Sequence, residues 1–276
     1  IEVNMIDICL NLSSEKFSKD RKKIIQRALD NNVSGFIFTG TSLKSSKLSL
    51  MYAQDNSKVA CSTAGVHPHD AKSWENVKSE IEKIAKNDLV VAIGECGLDY
   101  DRMFSTREEQ MLAFKEQLDL ALKYNKPAFI HVRNKIEDGG IELIMDDFEK
   151  IYKPYHQKGV KGVVHCFTGN KKMLETFLSY DLFIGITGWV CDDRRGEQLQ
   201  KLIKYIPDNK LMIETDAPYL TPKNMPKDIS RGRNEPAFLK YVAKKIAEIK
   251  NISEEDLILL TSHNVESLFK WKPINA

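Results

Sequence analysis

Four β-type apolar runs of this chain each lead into residues that can hold a metal ion. LVVAIGE stops on Glu95, PAFIH on His131 and VKGVVH on His165, and KLMIETD carries Glu214 and Asp216. Two imidazoles with two carboxylates, Glu95, His131, His165 and Asp216, form a donor set suited to a divalent cation. A single histidine at a strand end is more often hydrogen-bonded structure, but four ligand residues at equivalent places of four such runs point to one shared site.

Such residues meet only if their strands run the same way. Apolar β-type runs are expected at 3–8, 35–39, 59–65, 89–95, 128–131, 162–165, 182–186 and 211–215, short and without the alternation of a half-exposed sheet. Amphipathic helical patterns lie at 18–31, 43–56, 74–86, 107–124, 140–153, 171–179, 196–205 and 236–250. Eight βα repeats in a chain of 276 residues have the count and size of an α/β single (β/α)8 TIM barrel. The carboxyl ends of its strands share one mouth, where such barrels place their chemistry. A last helical segment, 253–270, opens on Ser253-Glu254-Glu255-Asp256 and is expected to close the barrel from outside. No Pro-, Gly- or Ser-rich linker divides the chain, so 1–276 is read as one domain.

Composition narrows the classes. With 41 basic and 39 acidic residues the net charge is +2, so no global field marks a nucleic-acid binder and phosphate recognition must be local. Five widely spaced cysteines without a Cys-x-x-Cys pair read as reduced thiols. With no apolar run of membrane-spanning length and no secretory leader pattern, the expectation is a cytoplasmic chain to which the nucleus is also open. P-loop, dinucleotide-binding and G-x-S-x-G motifs are missing, which argues against nucleotide-triphosphatase and serine-hydrolase readings.

The strings AGVHPHDA, AIGECGLDYDR, FIHVRN, VVHCFTG, GITGWVCDDRRG and ETDAPYL followed by RGRNEP resemble the TatD family of metal-dependent deoxyribonucleases, within the amidohydrolase-like barrels, nearly end to end. The resemblance implies a TIM barrel and a divalent metal, Mg²⁺ by family habit with Mn²⁺ or Zn²⁺ open. It further implies hydrolysis of DNA phosphodiesters, as a 3′→5′ exonuclease on single strands or free 3′ ends, by a monomer serving DNA degradation or repair. Residue by residue, Glu95, His131, His165 and Asp216 match the family's metal positions. Many members carry D-x-H-x-H on strand one; here the stretch is Asp7-Ile8-Cys9-Leu10-Asn11, and both histidines are absent. This departure leaves open whether one ion binds or two.

Phosphodiester hydrolysis needs a nucleophile at neutral pH, neutralised non-bridging oxygens and help for the leaving alkoxide. Glu95 is expected to bridge the ions and Asp216 to orient the attacking water. His67 and His69, on the turn after strand three, are read as phosphate-binding or proton-donating groups, with structural support and metal ligation as alternatives. Glu214 is expected behind a metal-binding histidine, and Asp99 in the loop after strand four, shaping it or touching a ligand. Arg133, Arg231, Arg233 and Asn234 are expected to bind substrate, with Trp189 stacking on a base. Two other readings stand beside the nuclease: a metal-dependent amidohydrolase or esterase on a small molecule, and a catalytically weakened binding protein.

Overall fold

The computed structural model describes residues 4–135, 141–226, 228–229 and 232–274. Eight parallel strands follow one another in sequence order: β1 (Met5–Leu10), β2 (Val33–Phe38), β3 (Ala60–Ala64), β4 (Val90–Asp99), β5 (Ala128–Arg133), β6 (Gly162–Val164), β7 (Phe183–Ile186) and β8 (Leu211–Ile213). The helices between and after them are α1 (Arg21–Leu29), α2 (Leu43–Asp55), α3 (Trp74–Ala85), α4 (Arg107–Tyr124), α5 (Ile141–Gln157), α6 (Lys171–Ser179), α7 (Glu197–Ile203), α8 (Leu239–Lys250) and α9 (Glu254–Phe269). The ring closes through a parallel bridge between Leu10 and Ala217, with Asp216 N donating to Cys9 O and Asn11 N to Ala217 O, each at 3.0 Å. The expected (β/α)8 TIM barrel is the fold observed.

Two apolar layers follow from the strands being covered on both faces. Ile6, Ile8, Ile37, Val91, Phe129, Val163, Phe183 and Met212 fill the barrel interior. A larger layer outside the ring joins Phe36, Phe38, Ile93, Leu98, Ile130, Val164, Ile184 and Ile213 to the inward faces of the helices. The last helix does more than cover the outside: Val265, Leu268 and Phe269 of α9 belong to the interior cluster, so this helix supplies core as well as closure.

The sequence marks its helix starts. Ser42 and Ser45 form a reciprocal cap on α2, Thr106 and Glu109 do the same on α4, and Ser253 accepts from Asp256 N at the start of α9. α5 runs past Pro154 to Gln157, beyond the expected end at 153. Pro154 has no N–H to give the Lys150 carbonyl, so the turn it stands in is held by other contacts. Burial of Tyr152 and Tyr155, with Tyr155 Oη donating to Asp119 of α4, holds that turn in place. The clearest departure in the sheet is the length of β4, which passes through Glu95 and continues to Asp99, while β5 continues to Arg133.

Candidate active site

The local sequence Gly94-Glu95-Cys96-Gly97 explains how a buried strand presents an acid. β4 leaves β3 after Ile93 but stays paired with β5 through Asp99–Arg133, with a register shift between Gly94 and Cys96. Gly94 and Gly97 have φ of +145° and +138°, and a β-carbon at either would lie 2.2 Å from Phe129 O or 1.9 Å from His131 O. Only glycine fits these two places. The irregularity between them turns Glu95 toward the mouth at the point where its β3 neighbour ends.

Three imidazoles converge on one oxygen of that acid. Glu95 Oε1 lies 2.7 Å from His165 Nε2, 3.2 Å from His131 Nδ1 and 3.3 Å from His67 Nε2. Burial opposes its charge, but His165 and His67 outweigh it and hold the Glu95 carboxyl well below the usual carboxylate range. Behind two of the imidazoles stand further carboxylates. Asp99 Oδ2 is 2.9 Å from His131 Nε2 and from His69 Nε2, and Glu214 Oε1 is 3.3 Å from His165 Nδ1. An imidazole whose outer nitrogen faces a carboxylate turns its other nitrogen, as a lone pair, to a cation. His131 Nδ1 and His165 Nε2, both facing Glu95, are the atoms these two rings would offer to an ion. The donor set of one carboxylate and two imidazoles, already oriented, fits a divalent ion.

His67 differs in a way that decides its chemistry. Its Nδ1 accepts a 3.0 Å hydrogen bond from His69 N, so the neutral ring carries its proton on Nε2, facing Glu95. Distance alone would group His67 with Glu95 and His131 as ligands. Both its nitrogens cannot act as lone pairs, however, and burial pushes its pKa down to about 4, which keeps the ring neutral. The Nε2–H is a hydrogen-bond donor. His69 meets the His67 ring at 4.3 Å between centroids and is braced by Asp99.

Two glutamines of α4 that belong to no motif hold the loops in place. Gln117 of α4 accepts from Val66 N at 2.8 Å and donates to Val66 O at 3.0 Å, fixing the turn that carries His67 and His69. Gln110, seven residues earlier, grips Asp99 in the same manner, accepting from its N and donating to its O. Both amides are buried on the core face of an amphipathic helix. That spacing on an otherwise apolar face was the available signal.

On the opposite side of the mouth Asp216, with φ of +53°, accepts from Asn11 Nδ2 at 2.9 Å and from the Cys9 thiol at 3.4 Å. Burial pushes its pKa up to about 6, and the charges of Glu95 and Glu214 add to that against the pull of His165. The structure thus brings Glu95, His131 and His165 into direct contact, and places Asp216 beside them on the strand-one residues. Asp7 lies fully buried beneath, accepting from Cys9 N, Thr215 N and Thr215 Oγ1. Burial raises its pKa to about 7.

The residues expected to bind substrate separate. Arg133 stays at the rim with its guanidinium on Asp99 Oδ2, Nε at 3.0 Å and Nη2 at 2.9 Å. Trp189 is half-buried in the short turn Gly188–Cys191 after β7. Arg233 is drawn away from the cluster: it pairs with Asp20, donates to Lys16 O and covers the Phe17 ring. Asn234 is fully buried, its Nδ2 donating to Thr215 O and Tyr219 O and its Oδ1 accepting from Glu235 N. With every polar atom occupied, it ties the loop after β8 down and has none left for substrate. Arg231 lies outside the described residues.

Known proteins share this barrel and sequence over almost their whole length. A protein of Erwinia amylovora named 3′-5′ ssDNA/RNA exonuclease TatD is 42% identical over 267 residues, covering 96% of this chain and 99% of that one. The protein of the same name from Shigella flexneri is 43% identical over 266 residues, covering 96% and 98%. The crystal structure of a TatD family hydrolase from Entamoeba histolytica superposes with a TM-score of 0.83 at 27% identity, covering 96% and 98%. The family model described as TatD related DNase matches residues 6–270, a span that holds every residue of the cluster, and the chain belongs to that family.

Proposed function

We propose that the chain is a metal-dependent hydrolase of nucleic-acid phosphodiesters, a 3′→5′ exonuclease on single-stranded DNA and RNA. The observation that carries this reading is the convergence of His67, His131 and His165 on Glu95 Oε1. The names of the relatives at 42% and 43% identity agree with it.

Glu95, His131 and His165 would hold the ion, with Asp99 and Glu214 setting the two rings. A divalent cation bound there would neutralise the non-bridging oxygens of the phosphodiester and lower the pKa of an attacking water. Asp216, held by Asn11, stands across the mouth to orient that water. The Nε2–H of His67 donates to the phosphate or to the departing oxygen, and His69 supports its ring from behind. Arg133, always charged, marks the rim on which the next phosphate rests. Trp189, in the turn after β7, would offer a second ring to a base on that side.

Mg²⁺ is the proposed ion, and the imidazoles also suit Mn²⁺ and Zn²⁺. All donors come from one chain, which suits a monomer. Among the described residues no helix is long and apolar enough to cross a membrane, and five free cysteines suit the reducing cytoplasm. The test is degradation of 5′-labelled and 3′-labelled single-stranded oligonucleotides with Mg²⁺, Mn²⁺, Zn²⁺ or EDTA. Stepwise shortening from the 3′ end, abolished by EDTA and by Glu95→Ala, is expected; an oligonucleotide left intact with every metal would refute the reading.

A further inference from the structure

Next to the histidine cluster stands an aromatic ring that does not serve the core. Phe104, in the loop after β4, is 58% exposed and Met103 beside it 51%. Exposed apolar residues on outer helix faces, such as Leu112, Leu122 and Leu259, are ordinary surface. Phe104 differs in what it touches: its ring meets the edge of His69 with centroids 5.0 Å apart. His69 in turn meets His67 at 4.3 Å, and His67 Nε2 is 3.3 Å from Glu95 Oε1.

The loop that presents this ring is fixed from both sides. Asp99 Oδ1 accepts from Asp101 N at 3.1 Å and Arg102 N at 3.0 Å, and Phe104 N donates to Arg102 O at 3.0 Å. Beyond the ring, Ser105 is buried; its hydroxyl donates to His69 O and accepts from Lys72 N, both at 3.0 Å, while Gln110 Nε2 donates to Ser105 O. The ring is thus set in front of the cluster on a pre-organised backbone, which lowers the entropy cost of using it. Exposed Lys72, its ammonium 3.3 Å from Phe104 O, and exposed Arg102 put cations beside it. An aromatic face flanked by cations beside a phosphodiester site is the arrangement that holds single-stranded nucleic acid without regard to sequence.

We propose that Phe104 is the stacking surface for the base of the nucleotide being removed, a positioning role that rests on the exonuclease reading. The base lies on the ring while its phosphodiester lies at Glu95, so the enzyme measures one nucleotide from the 3′ end. In a duplex the terminal base is paired and stacked on its neighbour and cannot turn onto the ring without unpairing, so this contact would favour single strands.

The experiment compares kcat/KM for two single-stranded oligonucleotides, one ending in an ordinary 3′ nucleotide and one in an abasic 3′ nucleotide, using wild type, Phe104→Ala and Phe104→Trp. Wild type is expected to favour the base-bearing end by roughly 5- to 150-fold, the value of one base stacked on an aromatic ring. Phe104→Ala should bring the ratio close to one, and Phe104→Trp should restore it. If Phe104→Ala slows both ends equally and keeps the ratio, Phe104 only braces the loop and the proposal falls. A wild type that degrades both ends equally also overturns it while leaving the exonuclease reading in place. A wild type that removes nucleotides from neither end, with any metal, takes down both.

Discussion

The two sides of the barrel mouth are built on opposite electrostatic plans. On the β4–β6 side each carboxylate is matched by imidazoles, and Glu95 and Asp99 are both held well below the usual carboxylate range. On the β1–β8 side the acids are buried with few cations, so the pKa of Asp216 rises to about 6 and that of Asp7 to about 7. Where the strand-one histidines of D-x-H-x-H would supply ligands, this chain offers Cys9 and Asn11, which hydrogen-bond to Asp216. One side carries the donor set proposed to hold the cation; the other is a hydrogen-bonded wall from which Asp216 is the acid proposed to act on water. The charge of a carboxylate inside a protein thus depends on its immediate partners more than on its depth, since Glu95 and Asp7 are both buried.

The comparison breaks most directly at Glu95. Glu95→Ala is expected to lower hydrolysis on the order of 10³-fold and to abolish calorimetrically detected Mn²⁺ binding, with the circular dichroism spectrum retained. Asp216→Ala should lower the rate with Mn²⁺ affinity kept within a few-fold, on the proposal that Asp216 orients water and does not hold the first ion. Equal loss of affinity in both variants would erase the distinction between the two sides.

A finer cut lies behind His165. Glu214 is fully buried, with its Oε1 3.3 Å from His165 Nδ1 and accepting from Cys166 N at 2.6 Å. Glu214→Gln weakens the carboxylate that orients the ring, and metal affinity should fall about 10- to 100-fold. Unchanged affinity would mean that His165 is held by packing alone, for which the Phe129 ring at 4.9 Å is the candidate.

Asp7 tests the other side through stability. Its pKa is near 3.8 unfolded and about 7 folded, so between those values the unfolded chain releases a proton that the native chain keeps. Native stability from this group is complete below pH 4, is lost as pH rises to 7 and is flat above. Asp7→Asn removes the titration. Its unfolding free energy relative to wild type should therefore climb over that window, by roughly 4 kcal/mol at pH 8, in urea titrations at a series of pH values. A constant difference across the window would show that Asp7 is ionised in the native protein. The smallest effect is expected at Cys9: Cys9→Ala should leave hydrolysis and Mn²⁺ affinity within about 3-fold, because a buried thiol there packs rather than binds. A large loss of affinity would make the β1–β8 side a second metal site.

What was legible in the sequence is what short-range pattern controls. Alternating apolar runs and helical stripes gave eight βα units, and the ligand-type residues closing four of the runs located the mouth. The extension of β4 to Asp99 was hidden because a register shift between two glycines has no apolar signature. The proton position on His67 depends on a backbone N–H two residues on, and Gln110 and Gln117 on a helix face that sequence alone leaves unassigned. Arg233 and Asn234 look free in a polar loop. Their partners include Asp20, 213 residues away, and the Thr215 carbonyl, and only the folded chain brings these together.

The barrel seam joins the two ends of the chain at the place where Asp216 enters the mouth. Leu10 bridges Ala217, Asp7 grips Thr215, and Asn11 holds Asp216, contacts that span 205 to 208 residues. Pairings of this separation pay the largest loop-closure cost and come late in folding. Glu95, His131 and His165 come from the neighbouring units of β4, β5 and β6, whereas Asp216 follows β8 and takes its place where β8 meets β1. The acid proposed to orient the water thus enters the mouth only as the ring closes, so the contacts that complete the fold also complete the site.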